Sequence, residues 1–435
     1  MLPCQELDAR LRAGHYDARL DRIYCCNGEE RALAGARTRA LEVLEGFRGA
    51  FHLGTEAPAA LFSGPGRTEL GGNHTDHQHG RVLCASVNMD MLAAARPNGT
   101  GTVHIVSEGY PALEVDLSRL EPRAEERDTS QALVRGVAAG IAALGFTPGG
   151  FDAYIRSGVP AGSGLSSSAA YEVLVGVIFN RLFCGDGLSA VQLARIGQGA
   201  ENRFFGKPCG LMDQMASAVG GAVAIDFADP AAPAVRRVGY DFAASGHTLC
   251  IVDTGSCHAD LTGDYAAIPA EMGAVAAYFG KTVLREVDEG AFRAALPALR
   301  RAVGDRAVLR ALHFFQENRR AGEEADALSA GEFGRFLALV RASGASSSLN
   351  LQNIWAGGDP AEQAVPLALA VAEEALGGAG AVRVHGGGFA GTIQAFVPNG
   401  LLEPFLTGME ELLGRDMCHI LAIRPEGGCL LAGEV

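Results

Sequence analysis

The chain has 435 residues, 48% hydrophobic and 20% charged, which supports a sizeable core, excludes extended disorder and points to two or three domains or one two-lobed enzyme. Lys and Arg total 36 against 50 Asp and Glu, and the resulting charge of −14 repels a phosphate backbone, arguing against nucleic-acid binding. A locally basic pocket for a small anionic substrate is still compatible with that balance.

The opening MLPCQELDARLR has no apolar core behind a basic start, so no secretory leader is read. Leu33–Phe47 interleaves apolar and charged residues and predicts a helix within an N-terminal extension, residues 1–54. Around Phe62 short β-like runs begin, with strands expected at Val82–Met91, Thr102–Val106 and Leu113–Leu117. A helix over Ser130–Leu144 and a strand over Phe151–Ser157 follow. Helices Ser167–Phe183 and Ser189–Phe205 come next, then strands Ala222–Phe227 and Thr248–Asp253. Ala169–Phe183 is apolar but carries Glu172 and Arg181 and is too short for a bilayer, so no membrane contact is expected.

The second half predicts helices at Tyr265–Phe279, Glu289–Val303, Ala307–Arg320, Ala330–Arg341 and Ala361–Leu376. It closes with strands Val382–His385 and Thr392–Val397 around a glycine turn. The Pro/Ala-rich Asp229–Ala234 is the expected lobe boundary, giving lobes of residues 55–234 and 235–435. The class is α+β in two lobes. Ten cysteines without a CxxC spacing read as reduced, mostly buried thiols, and the protein is expected in the cytoplasm. The oligomeric state is left open, with a monomer favoured.

Three segments carry chemistry. Val159–Ala170 lies between a strand and an apolar helix; its small residues and the helix start can cradle an anion such as a nucleotide phosphate. It is not a Walker A loop, and a flexible turn with a serine N-cap is the plainer alternative. Gly64–Gly80 crowds Arg67, Glu69, Asp76, His74, His77 and His79 into a glycine-rich loop. A Zn²⁺ or Ni²⁺ site of His74, Asp76, His77 and His79, or a solvated connector, are its alternatives. Gly206–Gln214 turns through Pro-Cys-Gly and presents Asp213 at a helix start, where a carboxylate is often only a cap. Val384–Gly391 is a strand, a glycine turn and a second strand.

These segments, in this order, resemble the GHMP kinases, and within them the galactokinases. Gly164-Leu-Ser-Ser-Ser-Ala-Ala170 is similar to the family's phosphate loop, Pro208–Gln214 to its Pro-Cys-Gly-Ile-Met-Asp-Gln, and Gly386–Gly391 to its Gly-Gly-Gly-Phe-Gly-Gly. Gly66–Gly80 resembles the sugar signature Gly-Arg-Val-Asn-Leu-Ile-Gly-Glu-His-Thr-Asp-Tyr. The likeness covers residues 55–435 and implies a ribosomal-S5-like first lobe against a ferredoxin-like second, with the site between them. It implies an ATP-dependent kinase acting on the anomeric hydroxyl of galactose or a close relative, with Mg²⁺. Asp213 would accept the proton and Arg67 would stabilise charge. Gly162, Ser163, Gly164, Leu165, Ser166, Ser167, Ser168 and Ala169 would bind ATP, and Ser168 (or Ser167) with Glu201 would hold the metal. Asn73, His74, Asp76, His77 and Tyr265 would face the sugar, and Gly387 and Gly388 would let the backbone approach the cleft.

The departures bear on the sugar. The signature's Asn is Glu69, its Ile Gly71, its Glu Asn73 and its Tyr His77, while Ser343–Leu349 lacks the family's Ser-His-x-Ser-Leu. An uncharged Asn73 among three histidines makes a uronic acid such as galacturonic acid an alternative substrate. A non-catalytic sugar and ATP sensor is the reading from another class.

Overall fold

The computed structural model describes residues 1–160, 163–207, 209–255, 261–356, 360–389 and 391–434. In chain order its first part comprises β1 (Leu2–Pro3), α1 (Cys4–Arg12), α2 (Asp17–Tyr24), α3 (Glu30–Ala50), β2 (Pro58–Gly71), β3 (Arg81–Pro97), β4 (Thr102–Ser107), β5 (Leu113–Asp116), α4 (Ser130–Ala143), β6 (Phe151–Ser157), α5 (Ser167–Phe183), α6 (Ala190–Ala200), α7 (Met212–Val219), β7 (Ala222–Asp226) and β8 (Ala234–Val238). The second part comprises β9 (His247–Asp253), α8 (Thr262–Tyr278), α9 (Glu289–Ala294), α10 (Leu296–Val303), α11 (Asp305–Ser329), α12 (Phe333–Ser346), α13 (Ala364–Leu376), β10 (Ala381–Val384), β11 (Thr392–Pro398), α14 (Leu402–Leu413), β12 (Cys418–Leu421) and β13 (Cys429–Ala432).

Successive side chains of a strand point to opposite faces, and on β2 and β3 both faces are covered. Ala60, Phe62, Ala93 and Ala95 join the core under α4–α7, whereas Ala59, Leu61, Leu92 and Ala94 join a second core under α1–α3. This is why the strands read as continuous apolar runs rather than alternating ones. On α3, Ala40, Val43, Leu44 and Phe47 follow the i, i+3, i+4, i+7 spacing and are buried, each large side chain being worth about 1.5–3 kcal/mol. The N-terminal extension is therefore one wall of that second core. Further along the same sheet, Leu83, Ala85 and Val87 pack on residues of α11 and α12.

The first sheet runs β1-β2-β3-β6-β4-β5, with β13 added to β2, β7 to β3 and β8 to β7; among the described residues only its β4–β6 pair is parallel. The second sheet is β10-β11-β9-β12, wholly antiparallel. β8 begins at the expected boundary, Ala234, yet pairs with β7, and the chain enters the second sheet only at β9.

Several expectations are corrected. Gly64–Gly71 is not loop but the distal half of β2, with register shifts at Pro65/Arg67 and Glu69/Gly71. Such bulges bend a strand and re-aim its side chains. The single helix expected over Glu289–Val303 is two, because Pro297 lacks an N–H and restarts the helix as α10. The helix from Ala307 continues to Ser329, and the next one starts at Phe333, after Gly331 in a left-handed conformation. β8, α14, β12 and β13 were not anticipated; the strands have four or five residues, too few to show a period.

Candidate active site

Arg67 stands on bulged β2 and Asp213 in the first turn of α7. Arg67 Nε and Nη2 donate to Asp213 Oδ1 and Oδ2, both at 2.7 Å. The Asp213 carboxylate is thus spent on a guanidinium, not on capping α7. Arg67 Nη1 donates to the Gly164 carbonyl, and its backbone N–H donates to Leu165 O at 2.9 Å, locking strand to phosphate loop. Gly164 has φ +69°, and a Cβ there would meet Thr392 Oγ1 at 2.7 Å and His385 Nδ1 at 2.9 Å, so the second sheet backs the loop.

Ser163 precedes Gly164, and Leu165, Ser166, Ser167, Ser168 and Ala169 follow it, with Ser167 opening α5; Gly162 lies outside the described residues. Ser166 takes φ +56° and makes no side-chain cap bond, so it is not the serine cap of the plainer reading. Ser168 Oγ donates to Glu201 Oε1 at 3.3 Å. Glu201 opens a π turn, Glu201–Phe205, at the end of α6, a local irregularity common at functional sites. Gln214 Nε2 bridges Glu201 Oε2 (2.9 Å) and Glu172 Oε2 (3.0 Å), leaving buried Glu172 Oε1 without a partner. Ser168, Glu201 and that orphaned oxygen are the donor type Mg²⁺ takes. Beside them Met91, Tyr110, Pro111, Leu133, Val159 and Tyr171 line a cavity of about 310 Å³ reaching Ser167 and Ser168. A larger cavity of about 600 Å³ lies at the C-terminal half of α5 and includes none of the predicted site residues.

The 73–79 loop faces the glycine turn of the second sheet. His74 Nε2 donates to Gly387 O at 3.0 Å, and Asn73 Nδ2 to Gly386 O at 2.6 Å. Tyr265 Oη donates to Gly388 O at 2.9 Å. Asp76 Oδ1 accepts from the His77 N–H at 2.9 Å, and a Cβ on Gly210 would fall 1.8 Å from Asp76 Oδ2, so the loop before α7 closes directly on this carboxylate.

Residues 132–221 match the GHMP kinases N terminal domain, and residues 45–97 the Galactokinase galactose-binding signature. The galactokinase of Lactococcus lactis, solved complexed with galactose, is 26% identical over 89% of this chain and 98% of its own, with a TM-score of 0.75. The chain thus carries a GHMP kinase N-terminal domain and a galactokinase galactose-binding signature, and resembles a galactokinase over most of its length. The mevalonate kinase of Methanococcus jannaschii shares the fold at 13% identity, covering 84% of this chain and 99% of its own, with a TM-score of 0.58.

Electrostatics divide this site in two. Burial would raise the Asp213 carboxyl, but Arg67 outweighs it and holds the group below the usual carboxylate range. Asp76 goes the other way, pushed up to about 6 by burial and then by the Asp213 charge. Burial pushes His74 down to about 4 and His77 to about 3, so both imidazoles are neutral at pH 7. Among the described residues no three His, Cys, Asp or Glu come together as metal ligands, which removes the transition-metal alternative for the loop. No helix among the described residues is long and apolar enough to cross a membrane.

Asn73 does not present an amide to a ligand. It is fully buried, and its side chain is saturated by Glu69, Gly386, Asn353 and Ser347. The residues that hold it were not read from the sequence. Glu69 pairs with Arg383, Glu317 accepts the Gly72 N–H (3.1 Å) and Ser343 Oγ (2.6 Å), and His313 Nε2 donates to Asn73 O (2.9 Å). Ser343, Ser346 and Ser347 of the altered serine segment all serve this cluster. The sequence carried no signal for His313 and Glu317, because α11 has charged residues along its whole length and only burial in the fold sets these two apart.

Proposed function

We propose that this protein transfers the γ-phosphoryl group of ATP to the anomeric C1 hydroxyl of galactose or a close neutral relative. The observation that carries the reading is the bidentate Arg67–Asp213 pair seated against the phosphate loop, beside Ser168 and Glu201. Asp213, ionised at neutral pH, accepts the hydroxyl proton; the sugar oxygen bonds to the γ-phosphorus as the bond to ADP breaks. Arg67 steadies the ionising oxygen and the transferring group. The phosphate loop, residues 162–169, orients the phosphates, and the cavity lined by Tyr110, Leu133 and Tyr171 has the apolar walls a nucleobase takes. Mg²⁺, held by Ser168 and Glu201, would supply charge neutralisation on the phosphates. His74, Asp76, His77 and Tyr265 make the sugar side.

A neutral sugar is favoured over a uronic acid. Neither premise of the uronate alternative has support: Asn73 is buried with the Glu69 carboxylate directly behind it, and His74 and His77 are uncharged at neutral pH. The sensor alternative has no specific observation in its favour.

ADP release with Mg²⁺-ATP across galactose, glucose, galactosamine, N-acetylgalactosamine, arabinose and galacturonic acid tests the reading, with NMR locating the phosphorylated carbon. Galactose or a neutral relative phosphorylated at C1 is expected. Preference for galacturonic acid, transfer to another carbon, or ATP binding without turnover overturns it.

A further inference from the structure

We propose that Glu69, Asn73 and Arg383 form a latch that sets the sugar loop against the Gly386–Gly388 turn, and that its acid and amide exchange places only as a pair. The proposal deepens the sugar-kinase reading and rests on it. Its geometry is a relay across the two sheets. Arg383, fully buried on β10, donates to the Glu69 carboxylate on β2, to Leu70 O (3.1 Å) and to Val384 O (3.1 Å). Glu69 in turn accepts from Asn73 Nδ2 at 3.1 and 3.3 Å, and the same nitrogen donates to Gly386 O. Asn73 Oδ1 accepts from Asn353 Nδ2 at 2.9 Å and from Ser347 Oγ at 3.4 Å. Two donors and an acceptor oxygen are all in use, a combination only an amide offers.

The latch acts on the turn as well as on the loop. Three consecutive carbonyls are held: Gly386 O by Asn73, Gly387 O by His74 and Asn353, and Gly388 O by Tyr265. In a trans peptide the C=O and the following N–H point in opposite directions. The Gly387 and Gly388 N–H groups, which have no partner among the described residues, therefore face away from the loop. Glu69 and Asn73 are also the two positions where the galactokinase-like signature has an amide and an acid in the reverse order. Their direct hydrogen bond makes these two departures one change. Glu69, Asn73 and Arg383 are positioning residues, acting through His74 and the turn.

The test uses isosteric variants and the best sugar of the panel. Asn73→Asp sets a second carboxylate where the amide now donates to Glu69; it is expected to raise the sugar KM about tenfold or more with the ATP KM within about threefold of wild type. Glu69→Gln together with Asn73→Asp restores an amide–acid pair but leaves Gly386 O without its donor, and is expected to recover at least about threefold of the rise in sugar KM. An unchanged sugar KM in Asn73→Asp, a double variant no better than Asn73→Asp, or equal rises in both KM values overturns the latch. Should Asn73→Asp not fold, a folded double variant supports the latch and failure of both overturns it. Should wild type phosphorylate no sugar, the kinase reading falls by itself. The latch is then read from thermal unfolding: recovery by the double variant of at least half the midpoint loss keeps it, and no recovery overturns it.

Discussion

The Arg67–Asp213 centre and the 73–79 loop are held in opposite ways. The centre is made by the first sheet and its helices, from β2, the phosphate loop and α7, with two charges that answer each other directly. The loop leaves the same strand but is gripped by the other part of the chain, through His313, Glu317, Asn353 and the Gly386–Gly388 turn. A change at the centre should therefore touch chemistry with little cost in stability, whereas a change around the loop should cost stability and sugar binding together.

The largest expected effect is at the centre. Asp213→Asn should lower turnover by about 10³-fold or more while unfolding temperature and ATP binding stay near wild type, checked by ADP release, thermal unfolding and nucleotide titration. Near-normal turnover would remove Asp213 from the chemistry. Arg383→Met marks the opposite case, since it strands the buried Glu69 carboxylate; a loss of about 3–5 kcal/mol in denaturant unfolding is expected. A loss below about 1 kcal/mol, the scale of an exposed pair, would show that this charge is not enclosed.

Gly388→Ala should cost about 1–3 kcal/mol, because Gly388 has φ +77° and a Cβ there would lie 2.1 Å from the Asn353 backbone oxygen. The sugar KM should rise with it while ATP binding is kept, and a stable variant with unchanged KM would uncouple the turn from the loop. The smallest effect is a pH dependence. Asp76 titrates near 6, above the ordinary carboxylate range, so its charged form, the one that would accept a sugar hydroxyl on the proposed reading, grows in as pH rises through that value. The sugar KM should fall from about pH 5 to about pH 7, by no more than tenfold per unit, and Asp76→Asn should abolish the trend. For stability the sign is reversed. The folded state holds this proton more tightly than the unfolded chain, so Asp76 favours folding most at acidic pH and loses that contribution as pH rises through about 6.

Much of the fold and the centre was legible because both rest on local patterns. Small residues before a long apolar helix marked the phosphate loop, and Pro-Cys-Gly before Met212 placed Asp213 at a helix start. Where alternation failed, burial was the cause: Gly64–Gly71 reads as a loop because both faces of β2 are covered and glycines interrupt it. Asn73 and Glu69, read as separate departures from the sugar signature, are hydrogen-bonded to each other, a relation that spacing four apart on a bulged strand and its turn does not reveal. Arg383 and Glu317, 314 and 248 residues from Glu69 in sequence, carried no motif at all.

By itself the sequence determined the α+β class, the order of the chemical segments and the residue types at the centre, because each follows from periodicity, turn chemistry or a short contiguous motif. Only the tertiary structure decided which polar groups face a ligand and which are consumed inside. That choice depends on partners far apart in sequence, and a buried acid or amide is defined by the groups that neutralise it.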